Sequence, residues 1–184
     1  MARKQRAERK WKRRRELKSK VLTDIRQRLL ADVGPYFEIV RCHRVGFWAL
    51  VRMIFPIIEA SASVVFPVKG KEKPPVRVLR ELGFQYPNLV WEMYRHTLSH
   101  NDEMAIAVYR DRKIAWGISV GGGHVQENGR INVDARQLFD DLLAFLAAQA
   151  RASGDTQAWV KESFRFNNAF ARATRQEALR LGKK

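Results

Sequence analysis

The hydrophobic period changes twice along this chain of 184 residues, and that change limits the folds open to it. Up to about Asp102 the apolar residues recur every three or four positions. Between Ile106 and Val133 they recur every second position, and from Leu138 the longer spacing returns. A period of 3.6 buries one stripe of a helix and a period of 2 buries one face of a sheet, so neither pattern substitutes for the other. The chain therefore reads as mainly α (α+β): a bundle of five or six helices, with a small antiparallel sheet of three or four strands inserted at about residues 104–133.

Within the insertion, Ile106 and Val108, then Ile114, Trp116, Ile118 and Val120, alternate with small or polar residues, with Asp111-Arg112 at the turn between them. Asn128-Gly129 gives the strongest hairpin signal, because both residues accept the positive φ that a tight turn requires. Gly121-Gly122-Gly123 has no adjoining Lys, Ser or Thr to complete a phosphate cradle, so it reads as a plain bend.

On the helical side, residues 3–33 form one expected helix striped by Trp11, Leu17, Val21, Leu22, Ile25, Leu29 and Leu30, ending at Gly34-Pro35. A second helical region, 36–66, carries Phe37, Val40, Phe47, Leu50, Ile54, Ile57 and Ile58. Pro56 within it predicts a kink or a break, since a mid-helix proline removes a hydrogen bond and clashes one turn back. Residues 67–75 read as a loop, and 75–82 as a short helix closed by Gly83. Asp134 reads as the N-cap of a helix to about Ala152, striped by Leu138, Phe139, Leu142, Leu143 and Leu146. A last helix is expected over about 156–181, with Trp159, Phe166 and Phe170 inward.

Charge divides the chain unevenly. The formal net charge is +16, and residues 1–20 hold eleven Lys and Arg against Glu8 and Glu16. That makes a basic arm over 1–20 on a single milder domain over 21–184, and it points to a polyanionic partner. Arg9, Lys10, Lys12, Arg13, Arg14 and Arg15 are the candidate phosphate contacts; a solvated charge run is the competing reading. Cys42 is the sole cysteine, so no internal disulfide and no cysteine zinc cluster can form, which fits a reducing, cytoplasmic setting. It reads as a small core residue. The apolar region 45–68 is interrupted by Arg52, Pro56 and Glu59, short of the ~20 apolar residues of a membrane span, so it reads as a buried helix and no membrane partner is expected.

Residues 88–103 concentrate the chemistry. Trp91, Tyr94 and Leu98 make an inward stripe, and Pro87 suits a helix start. Glu92, Arg95, His96, Ser99 and His100 fall on the remaining arc. The string Arg95-His96-Thr97-Leu98-Ser99-His100 resembles the motif of the HEPN superfamily, an arginine followed by a polar residue and, four to six positions on, a histidine. The resemblance implies a HEPN-like helical bundle, RNA as substrate, and a homodimer whose two motif helices share one active site. It also implies a toxin or antiphage defence setting, with an antitoxin or other regulatory protein as a further partner.

Metal-independent RNA cleavage needs a group to take the 2′-OH proton and a cation to stabilise the phosphorane-like transition state. His100 suits the first task because imidazole titrates near working pH. Arg95 suits the second because its planar fork stays charged and matches phosphate oxygens. His96 would orient or share the proton, and Ser99 and Asn101 would donate to the phosphate; no cofactor is required. Arg95 and His100 lie about 140° apart on an ideal helix, so convergence needs a distorted last turn or a partner subunit. Two readings compete with this endoribonuclease. One is a non-catalytic RNA- or DNA-binding module dominated by the arm. The other is a zinc hydrolase using Glu92, His96 and His100 with His43 or His124, against which stands the lack of a glutamate between the two histidines. A purely structural role has Arg95 pairing with Glu92 at the helix surface.

Overall fold

The helical half is organised by α3, Phe47–Val65, which presents Leu50, Val51, Ile54, Phe55, Ile58, Ala62 and Val64 to the interior. The computed structural model describes residues 2–43, 46–66, 72–96, 106–109 and 112–152. Among the described residues there are six α-helices and four strands: α1 (Ala2–Arg28), α2 (Gly34–His43), α3, α4 (Pro74–Glu81), α5 (Pro87–Trp91), β1 (Ile106–Tyr109), β2 (Arg112–Ser119), β3 (Val125–Glu127), β4 (Arg130–Asp134) and α6 (Ala135–Arg151). The second half of α1, α3 and α6 pack against one another, and α4 bridges α3 and α5. The mainly helical architecture with a small sheet after the motif helix is thus present. The expected last helix over 156–181 lies outside the described residues.

Two helix boundaries fall elsewhere than expected. The first helix does not stop at Gly34-Pro35. It widens into a π-helical turn, Leu29–Val33, and continues as α2 through Gly34, whose φ of −49° and ψ of −48° are helical. A π turn shifts the hydrogen-bond register by one residue, which relieves the clash that Pro35 would otherwise make with the preceding turn. The break in region 36–66 comes at Gly46, with φ 84°, and α3 runs unbroken across Pro56. Pro56 lies on the exposed stripe of α3 with Trp48, Arg52 and Glu59, so the Arg52 carbonyl that loses its N–H partner faces solvent instead of the core.

Burial corrects two further expectations and refines a third. Cys42 is exposed, because α2 buries Phe37 and Val40 and two further residues rotate Cys42 to the far side. Leu17 and Leu30 are exposed, while Lys18 is almost wholly covered, so the inward line runs Lys18 and Leu22 of α1 and then Leu29 and Val33 of the π turn. α3 is buried along one face, as expected, and exposed along the other at Trp48, Arg52, Pro56 and Glu59. Among the described residues it is long and apolar enough to cross a membrane by length and composition alone; here its apolar stripe is the centre of the core.

The sheet order is β1-β2-β4-β3. β1 and β2 pair antiparallel with Tyr109 opposite Arg112, and β3 and β4 pair antiparallel with Glu127 opposite Arg130. Asn128 (φ 50°) and Gly129 (φ 70°) form the expected tight turn. The middle pair, β2 with β4, is parallel, so the sheet is mixed and not wholly antiparallel. The three glycines explain it: all have φ between 85° and 104°, which lets the chain step out past the β4 position, make β3 as the edge, and return inward. Ile114, Trp116, Ile118, Ile131 and Val133 face the helices.

Candidate functional site

Tyr94 sets the geometry of the motif segment. Pro87 opens α5 at its first turn, as expected. Beyond Trp91 the chain underwinds into a second π-helical turn, Glu92–His96. Within it Tyr94 is fully buried. Its ring stacks on Phe55 of α3 at 5.7 Å between centroids and meets Trp116 of β2 edge-on at 4.6 Å. Its hydroxyl donates to the Gly117 carbonyl at 2.6 Å, with the Ile131 carbonyl at 3.4 Å. Burial pushes the hydroxyl well above its ordinary pKa, against the pull of the backbone hydrogen bonds. The ring therefore locks the turn to both central strands, and the next residue is aimed away from the core.

That next residue is Arg95. Its guanidinium Nε lies 3.3 Å from Glu59 Oε2 on the exposed stripe of α3, and about a third of the side chain is open to solvent. Glu92 pairs with Lys73, ahead of α4, at 2.5 Å. Arg95 and Glu92, the expected neighbour pair, thus each also hold a partner outside the motif segment. Glu59, a partner that sequence reasoning missed, left a signal only in its place on the polar arc of α3. His96 ends the π turn, and its side chain lies outside the described residues, as do Ser99, His100 and Asn101. The described part of the segment is thus a buried Tyr94 followed by Arg95, about a third exposed, on an underwound turn.

The arm candidates lie on α1, whose first turn holds no acidic residue. Arg9, Lys12 and Arg15 are exposed; the side chains of Lys10, Arg13 and Arg14 lie outside the described residues. Between α1 and α6 runs a groove of about 940 Å³, lined by Lys12, Arg15, Lys20 and Arg151 with Glu8 and Glu16. One turn inward, burial lowers the pKa of the Lys18 ammonium.

At the start of α6, Asp134 is 1% exposed. One carboxylate oxygen accepts from the Arg136 and Gln137 amides, at 2.9 and 3.0 Å, as the expected N-cap. The other accepts from the Gly123 amide at 2.9 Å, so the glycine bend closes on a carboxylate of its own chain. His124 Nδ1 accepts from the Asp134 amide at 2.9 Å, and its Nε2 is buried without a partner. Burial lowers the His124 pKa, opposed by the charges of Asp134 and Asp141. Among the described residues no group of three or more His, Cys, Asp or Glu is placed to hold a metal. Compared with protein-family models, with curated proteins and with solved structures, the chain shows no match.

Proposed function

We propose that this protein binds RNA through the basic face of α1. The observation that supports it is the exposure of Arg9, Lys12 and Arg15 along one 27-residue helix, beside a groove carrying two more cations, Lys20 and Arg151. A run of cations at helical spacing meets successive backbone phosphates, and each phosphate neutralised releases condensed counterions. The test is fluorescence anisotropy of a labelled single-stranded RNA across NaCl concentrations, with duplex DNA for comparison. Arg9→Gln/Lys12→Gln/Arg15→Gln should weaken binding at least tenfold and flatten the log–log salt slope by about 2, from about 0.7 per phosphate contact on single strands. An unchanged slope rejects α1 as the binding face.

A second reading, a HEPN-type metal-independent endoribonuclease, is supported by one observation: the Arg95 side chain is about a third open to solvent beside Glu59 of α3 instead of buried in the core. On this reading Arg95 clamps the scissile phosphate and His100 moves the 2′-OH proton. His96, Ser99 and Asn101 assist, and two protomers face each other across the site. Arg95→Ala and His100→Ala should each abolish cleavage in EDTA while leaving α1-mediated binding intact. RNA cleavage that survives both substitutions rejects it.

A further inference from the structure

The glycine bend is tied to the start of α6 by three hydrogen bonds, and one of them ends on an imidazole ring. The Gly123 amide donates to Asp134 Oδ2 at 2.9 Å, the His124 amide to Gln137 Oε1 at 3.1 Å, and the Asp134 amide to His124 Nδ1 at 2.9 Å. The third bond fixes the tautomer. Nδ1 accepts, so the ring proton sits on Nε2, the atom that is buried without a partner. Phe84, between α4 and α5, packs on the ring at 4.4 Å between centroids. Ahead of this tie, Gly121 and Gly122 are exposed, and no atom beyond their chain neighbours lies within 4 Å of where a Cβ would sit, so the bend has room to swing. Behind it comes β3, an edge strand of three residues. Its Gln126 Oε1 accepts from the Gln85 and Tyr86 amides, at 3.0 and 3.2 Å, and Tyr86 is the residue on which α5 begins.

We propose that His124 is a pH-sensitive latch: a proton on Nδ1 releases the glycine bend and β3 and, through Gln126, frees the start of α5. A proton taken from solvent turns Nδ1 from an acceptor into a donor, so that it and the Asp134 amide point N–H groups at each other. The half-buried ring then carries a charge with neither nitrogen bonded, which is costlier than the loss of one neutral hydrogen bond. Asp134 and Asp141 are the charged groups that act on the ring; Gln137 of α6 and Phe84 of the α4–α5 link, which also pack on this segment, carry none. The Asp134 carboxylate is already bonded to three amides. Asp141 lies two turns further along the same face of α6, half-buried, and is the carboxylate toward which a charged ring swings. Burial holds the ring's pKa below its ordinary value, so the latch is shut at neutral pH and opens as pH falls through the lower folded value. The latch needs neither functional reading.

The experiment is hydrogen exchange on the full chain at about pH 7 and about pH 5, expressed as protection factors so that the intrinsic pH dependence of exchange cancels. Protection at Gly123, His124, Gln85 and Tyr86 should fall together at the lower pH, by up to about tenfold for each pH unit, the limit for one proton at one site. Ile54 and Ile58 in α3 should keep theirs. His124→Gln keeps a side-chain acceptor and does not titrate, so its protection at Gly123, Gln85 and Tyr86 should be the same at both pH values. In the unaltered protein, the NMR titration of the His124 ring should share its midpoint with the amide shifts of Gly123 and Tyr86, a comparison that decides the matter where the variant does not fold. Unchanged protection at low pH, a fall that α3 shares in full, a fall that persists in His124→Gln, or midpoints that differ overturn the latch. A fall confined to Gly123 and His124, with Gln85 and Tyr86 still protected, overturns the release of α5.

Discussion

Tyr94 is a single hydroxyl on which two halves of the molecule meet. Removing it as Tyr94→Phe keeps the ring against Phe55 and Trp116 but strands the Gly117 carbonyl, its 2.6 Å acceptor, inside the core. Loss of one partner of a buried hydrogen bond costs about 1–3 kcal/mol, and in a chain of this length each kcal/mol lowers Tm by about 2–4 °C. Calorimetry should show that loss. His124 predicts a pH dependence. Its neutral form accepts from the Asp134 amide, and burial sets its folded pKa below the ordinary 6.5. Its contribution is therefore complete above the unfolded pKa and lost as pH falls through the lower folded one. Urea midpoints should drop between pH 7 and pH 5, and His124→Gln should flatten that interval.

Elements follow from short signals where backbone chemistry is local, and depart from them where packing decides. Gly83 illustrates the first case: with φ 85° it closes α4, its amide bonding the Arg80 carbonyl and that of Phe84 the Leu79 carbonyl. Asn128-Gly129, Pro87 and the Asp134 cap were legible for the same reason. Pro56 illustrates the second, since a proline is tolerated or not according to which side of the helix faces water. The parallel pairing of β2 with β4 was hidden too, because alternation shows that a strand has two faces and says nothing of its neighbours. Of the motif segment, the inward placing of Trp91 and Tyr94 was legible through its spacing, while the Arg95–Glu59 pair joins residues 36 positions apart and leaves no local mark. The Asp134 cap gives a prediction at this scale. Asp134→Ala removes acceptors from three amides, two in α6 and one in the glycine bend, and should cost at least the ~2 kcal/mol at the upper end for a lone cap. Hydrogen exchange should accelerate at Gly123, Arg136 and Gln137 together.

Across the whole molecule, charge opposes compaction. A net +16 on 184 residues repels itself, and added salt screens that repulsion over about 10 Å at 0.1 M. Thermal stability should therefore rise as NaCl is taken from about 20 mM to 0.2 M, while RNA affinity falls over the same range; a flat or falling Tm would contradict this charge balance. The hydroxyl of Tyr94 carries one more consequence, for how the chain is made. Its two acceptors lie 23 and 37 residues downstream, so on the ribosome that group reaches solvent while its acceptor carbonyls are still held back in the exit tunnel. Native closure of the amino-terminal half is thus deferred until β4 has left the exit tunnel.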